Sequence, residues 1–163
     1  MLPISPDPSS PIYGINIPAR TVSGDFYDFF KLADGRIAFC LGDVSGKGMN
    51  AALLMAKTAS LYRCLGKTSD HPGKLMAQIN EEICETSTRG MFITLVGGIY
   101  DPKTKIVRLA NAGHEPPLHQ VGPKEFNSIM AEAPPIGITT LAVPDGGYEE
   151  VELSLEDGPL YVF

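Results

Sequence analysis

Two aspartates, Asp25 and Asp43, have the spacing in this sequence that points most directly to chemistry. Each stands at the end of a β-prone run, and the two runs are joined by the turn sequence Ala-Asp-Gly at 33–35. A three-residue loop with Gly35 in the left-handed conformation would place Asp25 directly opposite Asp43, with their Cβ atoms about 5 Å apart. A two-residue loop would instead pair Asp25 with Val44 and separate the carboxylates.

Two ionised carboxylates at that separation repel each other. Water can screen them, one of them can take up a proton, or a divalent cation can lie between them. All-oxygen ligands favour Mg²⁺ or Mn²⁺ over Zn²⁺. The spacing therefore predicts a metal site at the end of a hairpin, and the alternative is a pair of solvated aspartates at strand ends.

The segment GDVSGKG at 42–48 follows the second of these runs. It differs from the phosphate loop of nucleotide hydrolases, which has four residues between its first glycine and its Gly-Lys pair and then a serine or threonine. A glycine-rich turn from a strand into a helix can still bring backbone N–H groups near an anion. Ser45, Gly46 and Lys47 are thus candidate substrate-binding or supporting residues, with Lys47 as a point charge for phosphate; a plain turn with a solvated lysine is the alternative.

Hydrophobic periodicity and turn residues predict an α+β domain with mainly antiparallel sheets, because strands, two adjacent helices and further strands follow one another without β-α-β alternation. Helices are expected over 50–65 and 72–87. Strands are expected over the following ranges: 13–17, 25–32, 36–43, 91–100, 105–110, 118–121 and 150–155. Residues 1–12, rich in proline and serine, are expected to be a leader or linker before a domain over 13–163.

Composition favours a cytoplasmic globular protein. The chain has 163 residues, and 13 basic against 19 acidic residues give a net charge of −6, which disfavours nucleic acid and anionic membranes as partners. Its three cysteines share no metal-binding spacing and are expected to be reduced. No apolar run approaches the roughly eighteen residues needed to cross a bilayer.

Four motifs in order resemble the phosphatase domain of stage II sporulation protein E and RsbU-like regulators, the bacterial branch of the metal-dependent type 2C protein phosphatases. They are SGDFYD at 23–28, GDVSGKG at 42–48 with AALLM at 51–55, NAGH at 111–114 with two prolines at 116 and 117, and PPIG at 134–137. The resemblance covers about 13–163 and implies an αββα sandwich of two mainly antiparallel sheets flanked by helices. It also implies a centre of two Mn²⁺ or Mg²⁺ ions and hydrolysis of phosphoserine or phosphothreonine on a small partner protein.

By the same resemblance, Asp43 matches an aspartate that bridges two metal ions, Val44 offers its backbone carbonyl, and Asp25 lies beside the same centre. These two aspartates are the expected catalytic residues. Strand parity directs Asp28 away from Asp25, so only a supporting role is expected for it. His114 is either a proton donor or a loop histidine that braces the turn formed by the following prolines.

The sequence departs from the family pattern in three places. Ser23 replaces the first glycine of a Gly-Gly-Asp motif, and Ser45 stands where many eukaryotic relatives carry a histidine. A Thr-Asp-Gly motif is expected after the apolar run at 160–163, and that motif and a later aspartate are absent. The expectation is therefore a C-terminally incomplete domain that lacks its last strand or strands, has part of its ligand set and is weakly active or inactive by itself.

The resemblance also bears on partners. It implies a phosphorylated regulatory protein of the anti-sigma-factor antagonist type as substrate, and a sensor or receiver domain upstream in the parent protein. Homodimerisation stays open. The alternative to an enzyme is a pseudophosphatase that binds the same kind of partner without hydrolysing it.

Overall fold

The computed structural model describes residues 11–15, 24–86, 90–130 and 133–163. These residues form two antiparallel sheets, with strand orders β1-β2-β3-β4-β7 and β6-β5-β8, and two helices. The elements are β1 (Asp25–Lys31), β2 (Ile37–Val44), α1 (Met49–Gly66), α2 (Pro72–Thr86), β3 (Ile93–Asp101), β4 (Ile106–Ala112), β5 (Leu118–Gly122), β6 (Glu125–Ser128), β7 (Glu150–Ser154) and β8 (Leu160–Tyr161). The predicted α+β class with antiparallel sheets is confirmed.

Both helices pack against one face of the five-stranded sheet and bury the main core there. Fully buried side chains of the helices include Tyr62, Met76 and Ile79. Gly97 on β3 makes room for Tyr62, because a Cβ at that glycine would lie 2.8 Å from the Tyr62 hydroxyl oxygen. That hydroxyl donates a hydrogen bond of 2.7 Å to the carbonyl oxygen of Phe39. Helix α1 is therefore fixed to the sheet by close packing and by the hydrogen bond of Tyr62.

The opposite face of the five-stranded sheet is directed toward the three-stranded sheet. Near its centre this face is buried, as at Val107 and Leu109. Toward the β1 edge the two sheets separate around a cavity of about 790 Å³, lined by Phe29, Phe39 and Leu160 among others. The described residues thus form three layers, a helical layer and two sheets, and Asp25 at the open end of the β1–β2 hairpin lines the same cavity.

Most elements lie where the sequence predicts them, within about two residues at each end. Strand β6 was not predicted, because all four of its residues are exposed and its sequence shows no apolar alternation. The strand predicted over 13–17 is wrong for 13–15, which have no strand pairing, and its last two residues lie outside the described part of the chain. The leader predicted over 1–12 falls outside it as well, apart from residues 11 and 12. No described helix combines the length and the hydropathy that a membrane-spanning helix needs.

Candidate metal and phosphate site

The first hairpin places the two aspartates opposite each other. Gly35 adopts a φ of 94°, and the Leu32 N–H donates to the Arg36 carbonyl oxygen at 2.8 Å, which closes the three-residue loop. The resulting register pairs Asp25 with Asp43. The predicted juxtaposition is confirmed, and the alternative pairing of Asp25 with Val44 is wrong.

The carboxyl group of Asp43 is in an environment that disfavours its negative charge. Although the residue stays exposed on one side, partial desolvation raises the pKa of its carboxyl, and the negative charge of Asp25 raises that pKa further. The neighbouring His114 acts in the opposite direction. A cation held between the two carboxylates would remove this repulsion.

Gly24 keeps the space beside the acidic pair open. A Cβ at this glycine would lie 2.6 Å from Asp43 Oδ1 and 3.2 Å from the Val44 carbonyl oxygen. The Val44 N–H donates to the Gly24 carbonyl oxygen at 3.3 Å, which holds the two segments together. Glycine at this position therefore keeps space open around Asp43 Oδ1 and the Val44 carbonyl oxygen, the two atoms predicted to bind a metal ion.

This donor set fits Mn²⁺ or Mg²⁺, because two carboxylates and one backbone carbonyl are all oxygen ligands. Within the ranges that the structure describes, no group of three or more Asp, Glu, His or Cys side chains is arranged to hold a metal ion. The described part of this end of the hairpin thus offers two carboxylates and one backbone carbonyl as oxygen donors.

The acidic pair continues across the sheet as a row of polar side chains. Thr94 on β3 pairs with Asp43, and its Oγ1 lies 2.7 Å from Nδ1 of His114 in a hydrogen bond whose donor depends on the imidazole tautomer. We call Asp25, Asp43, Thr94 and His114 the polar row. Sequence reasoning missed Thr94, because only the pairing of β2 with β3 reveals its place.

The turn after β4 presents His114 to this row. The His114 N–H donates to Asn111 Oδ1 at 2.8 Å, and Asn111 Nδ2 donates back to the His114 carbonyl oxygen at 3.1 Å. Gly113 between them has a φ of 65°. The NAGH motif is thus a tight turn that its own asparagine closes, and it brings the imidazole to Thr94.

The imidazole of His114 lies in surroundings that disfavour its positive charge. Burial lowers its pKa, while the backbone of Phe163 and the negative charge of Asp43 act in the opposite direction. Its Nε2 atom is buried and has no hydrogen-bond partner of good geometry among the residues that the structure describes. The structure therefore brings His114 into the electrostatic field of the acidic pair, with one ring nitrogen fixed by Thr94.

Asp28 lies on the other face of the sheet, as strand parity predicts. Its carboxylate accepts two hydrogen bonds from Arg63 of α1, one of them 2.7 Å from Nε to Oδ2. The Arg63 guanidinium also lies over the ring of Phe30, 5.0 Å from its centre. Asp28 is thus part of the contact between β1 and α1 and takes no part in the acidic pair.

The glycine-rich turn joins β2 to α1. Ser45 Oγ accepts a 2.7 Å hydrogen bond from the Phe92 N–H, and the Ser45 N–H donates to the Phe92 carbonyl oxygen at 2.9 Å. Gly46 has a φ of 97°. Lys47 is exposed and forms no hydrogen bond or ion pair with the described residues. Ser45 therefore ties the end of β2 to the residue before β3, while Lys47 is available to an anion from solvent.

Comparison with known proteins connects these features with a family. The family model described as Stage II sporulation protein E matches residues 33–163. The phosphoserine phosphatase RsbU of Bacillus subtilis is 30% identical over 152 residues, which cover 93% of this chain and 44% of RsbU. The chain thus spans less than half the length of this relative.

Two solved structures share the fold. The PP2C phosphatase domain of the cell fate determinant SpoIIE from Bacillus subtilis, solved with a fragment of its regulatory domain, superposes with a TM-score of 0.68 at 22% identity, covering 83% of this chain and 39% of that one. The RsbU and RsbW domains of a Mycobacterium tuberculosis protein give 0.67 at 20% identity, covering 85% and 38%. Since the family model matches most of its length, the chain belongs to the stage II sporulation protein E family.

Proposed function

We propose that this chain is a metal-dependent phosphatase domain that hydrolyses phosphoserine or phosphothreonine on a protein. The observation that carries the proposal is the opposed pair of Asp25 and Asp43 beside the opening at Gly24. Membership of the family and the similarity to a phosphoserine phosphatase support it. The end of the hairpin offers two carboxylates and one backbone carbonyl to such an ion, which supports the proposal.

Asp25, Asp43 and the carbonyl of Val44 would hold Mn²⁺ or Mg²⁺ at this end of the hairpin. When bound, such an ion supplies Lewis-acid chemistry, because it neutralises charge on phosphoryl oxygens and makes water more acidic. In the register of the sheet, Asp43 lies between Asp25 on β1 and Thr94 on β3. Both aspartates therefore act in the proposal as the residues that fix the ion and, through it, the phosphate.

The other end of the polar row handles protons in this proposal. In this proposal His114, oriented through Nδ1 by Thr94, gives a proton from its imidazolium form to the departing serine or threonine oxygen and is left as neutral imidazole. Lys47 on the exposed turn attracts the phosphate as a point charge. Ser45 keeps the turn in place through its two bonds to Phe92.

The test is phosphate release from a phosphoserine protein by the protein that contains this chain, with Mn²⁺ and then with a chelator. Asp43→Asn is expected to abolish the metal-dependent rate and to leave folding intact, because it removes a repelling charge from the acidic pair. Asp34→Asn, in the turn of the same hairpin, is the matched control and is expected to keep full activity. An active, folded Asp43→Asn variant would refute the assignment of Asp43.

The substrate in this proposal is a phosphorylated regulatory protein of the anti-sigma-factor antagonist type, acted on in the cytoplasm under control of an upstream sensor or receiver domain. The similarity to RsbU supports this choice, as does the joining of an RsbU domain to an RsbW domain in one of the solved structures. Comparing hydrolysis rates for such a phosphoprotein and for an unrelated phosphopeptide of the same charge tests the substrate class.

A second candidate is a pseudophosphatase that binds the same partner and leaves its phosphate in place. The small number of ligating side chains at the acidic pair favours it within the described residues. Calorimetric titration with the phosphorylated and unphosphorylated partner separates the two candidates. Tight binding of the phosphorylated form without phosphate release in Mn²⁺ supports the pseudophosphatase, and turnover excludes it.

A further inference from the structure

The PPIG motif at 134–137 contacts three separate elements through three consecutive residues. The ring of Pro135 packs on Gly113, where a Cβ would lie 2.7 Å from its Cγ and Cδ. Ile136 is fully buried and exchanges two backbone hydrogen bonds with Ile93, at 2.8 and 2.9 Å. The N–H of Gly137 is bonded to α2 through Asn80. This short segment therefore connects the NAGH turn, the start of β3 and helix α2.

Asn80 is the residue of α2 that holds this segment. Its side chain is buried, with the residue 1% exposed. Oδ1 accepts a 2.8 Å hydrogen bond from the Gly137 N–H, and Nδ2 donates at 3.0 Å to the carbonyl oxygen of Thr139. The Cys84 thiol also donates weakly to Oδ1 at 3.6 Å. All of the side chain's strong hydrogen bonds thus go to one loop, and an apolar residue in its place would leave backbone groups of that loop without these partners.

The 135–137 segment contacts Ile93 and Gly113, which are sequence neighbours of residues in the polar row. Ile93 precedes Thr94, and Gly113 precedes His114. The Thr94–His114 hydrogen bond therefore joins two residues whose preceding neighbours are both held by 135–136. A shift of this loop would move both partners of that bond together or apart.

We propose that Asn80 is a positioning residue that sets the orientation of the His114 imidazole through the 135–137 segment. The proposal rests on the proposed function where catalytic rate is the readout, and on the structure alone where the imidazole is observed directly. The side-chain hydrogen bonds of Asn80 go to Gly137, Thr139 and Cys84, none of which belongs to the polar row. Substitution of Asn80 is therefore expected to affect Thr94 and His114 and to leave metal binding at Asp25 and Asp43 unaffected.

The experiment compares Asn80→Ala with Leu75→Ala in the whole protein. Leu75 is buried on the same helix and packs against Gly66 of α1. Its truncation therefore weakens the packing of α2 at a place other than the 135–137 segment. Both variants are assayed in Mn²⁺ at a temperature at which they are folded. Asn80→Ala is expected to lower kcat about tenfold to a hundredfold with KM for the phosphoprotein unchanged, because small displacements of a reacting group are costly. Leu75→Ala is expected to retain kcat within a factor of about two.

The direct readout is the NMR signal of the His114 imidazole in histidine-labelled protein, assigned with the variant His114→Gln. Asn80→Ala is expected to shift this signal, and Leu75→Ala is expected to leave it in place. An unmoved His114 signal in folded Asn80→Ala overturns the proposal whatever the activity. A wild-type protein without phosphatase activity, but with a shifted His114 signal in Asn80→Ala, rejects the proposed function and supports the positioning role.

A second variant covers the case in which Asn80→Ala does not fold. Pro135→Ala keeps the backbone bonds of the segment to Ile93 and Asn80 and removes the ring that packs on Gly113. It is expected to shift the same imidazole signal and to lower kcat with little change in Mn²⁺ affinity. A folded Pro135→Ala with wild-type imidazole signals and wild-type kcat contradicts the proposed route from the loop to His114.

Discussion

Gly24→Ala is expected to weaken metal binding while leaving the fold intact. The new Cβ would lie 2.6 Å from Asp43 Oδ1, and an ordinary carbon–oxygen contact is about 3.3 Å, so these atoms must separate by about 0.7 Å. A displacement of that order at a ligating oxygen is expected to weaken Mn²⁺ binding about tenfold, or about 1.4 kcal/mol. The free energy of unfolding without metal is expected to change by less than about 1 kcal/mol, because Gly24 has no left-handed φ that alanine would strain.

Calorimetric titration with Mn²⁺ and urea unfolding in chelator measure the two quantities separately. Gly146→Ala is the matched control, since a Cβ there meets no atom within 4 Å and the φ of Gly146 is not left-handed. Mn²⁺ affinity equal to wild type in folded Gly24→Ala would refute the placing of the ion beside Asp43 and Val44. A fall in affinity matched by an equal loss of stability in chelator would show a disturbed hairpin instead.

Three further changes probe the elements that support the site. Arg63→Met leaves the carboxylate of Asp28 buried without its partner and is expected to lower the free energy of unfolding, measured with urea, by about 1–2 kcal/mol. The double variant Arg63→Met with Asp28→Asn is expected to recover part of this loss. Gly97→Ala directs a methyl group into the ring of Tyr62 and is expected to destabilise the protein by about 1–3 kcal/mol, also measured by urea unfolding. Thr94→Val is expected to lower kcat about tenfold with unchanged Mn²⁺ affinity, because His114 loses its fixed orientation; steady-state kinetics at wild-type values would contradict the role of that hydrogen bond.

The local part of the site is predictable from the sequence, because hairpin geometry depends on a few adjacent residues. The turn at 33–35 determines the loop length, and the loop length determines that Asp25 faces Asp43. The parity of the same strand directs Asp28 to the other face, where the structure shows its ion pair with Arg63. That partner lies 35 residues away, and strand parity alone does not identify it.

The remaining part depends on contacts between segments distant in sequence. Thr94 joins the polar row only because β3 pairs with β2 across the two intervening helices, and no local pattern specifies that register. The contact of His114 with Thr94 could not be predicted from sequence for the same reason, because it depends on the pairing of β3 with β4. The bonds of Asn80 to Gly137 and Thr139 span 57 and 59 residues.

The two ends of the polar row are therefore held in physically different ways. Asp25 and Asp43 belong to one hairpin, whose register a short turn specifies. His114 and Thr94 depend on a loop that α2 supports from a distance. Because local contacts persist when long-range packing loosens, substitution of Asn80 is expected to disturb the imidazole before it disturbs the acidic pair. Substitution of Asn80 should then lower the catalytic rate and leave Mn²⁺ binding in place. An Asn80 variant that loses both at unchanged stability would argue against this division of the site.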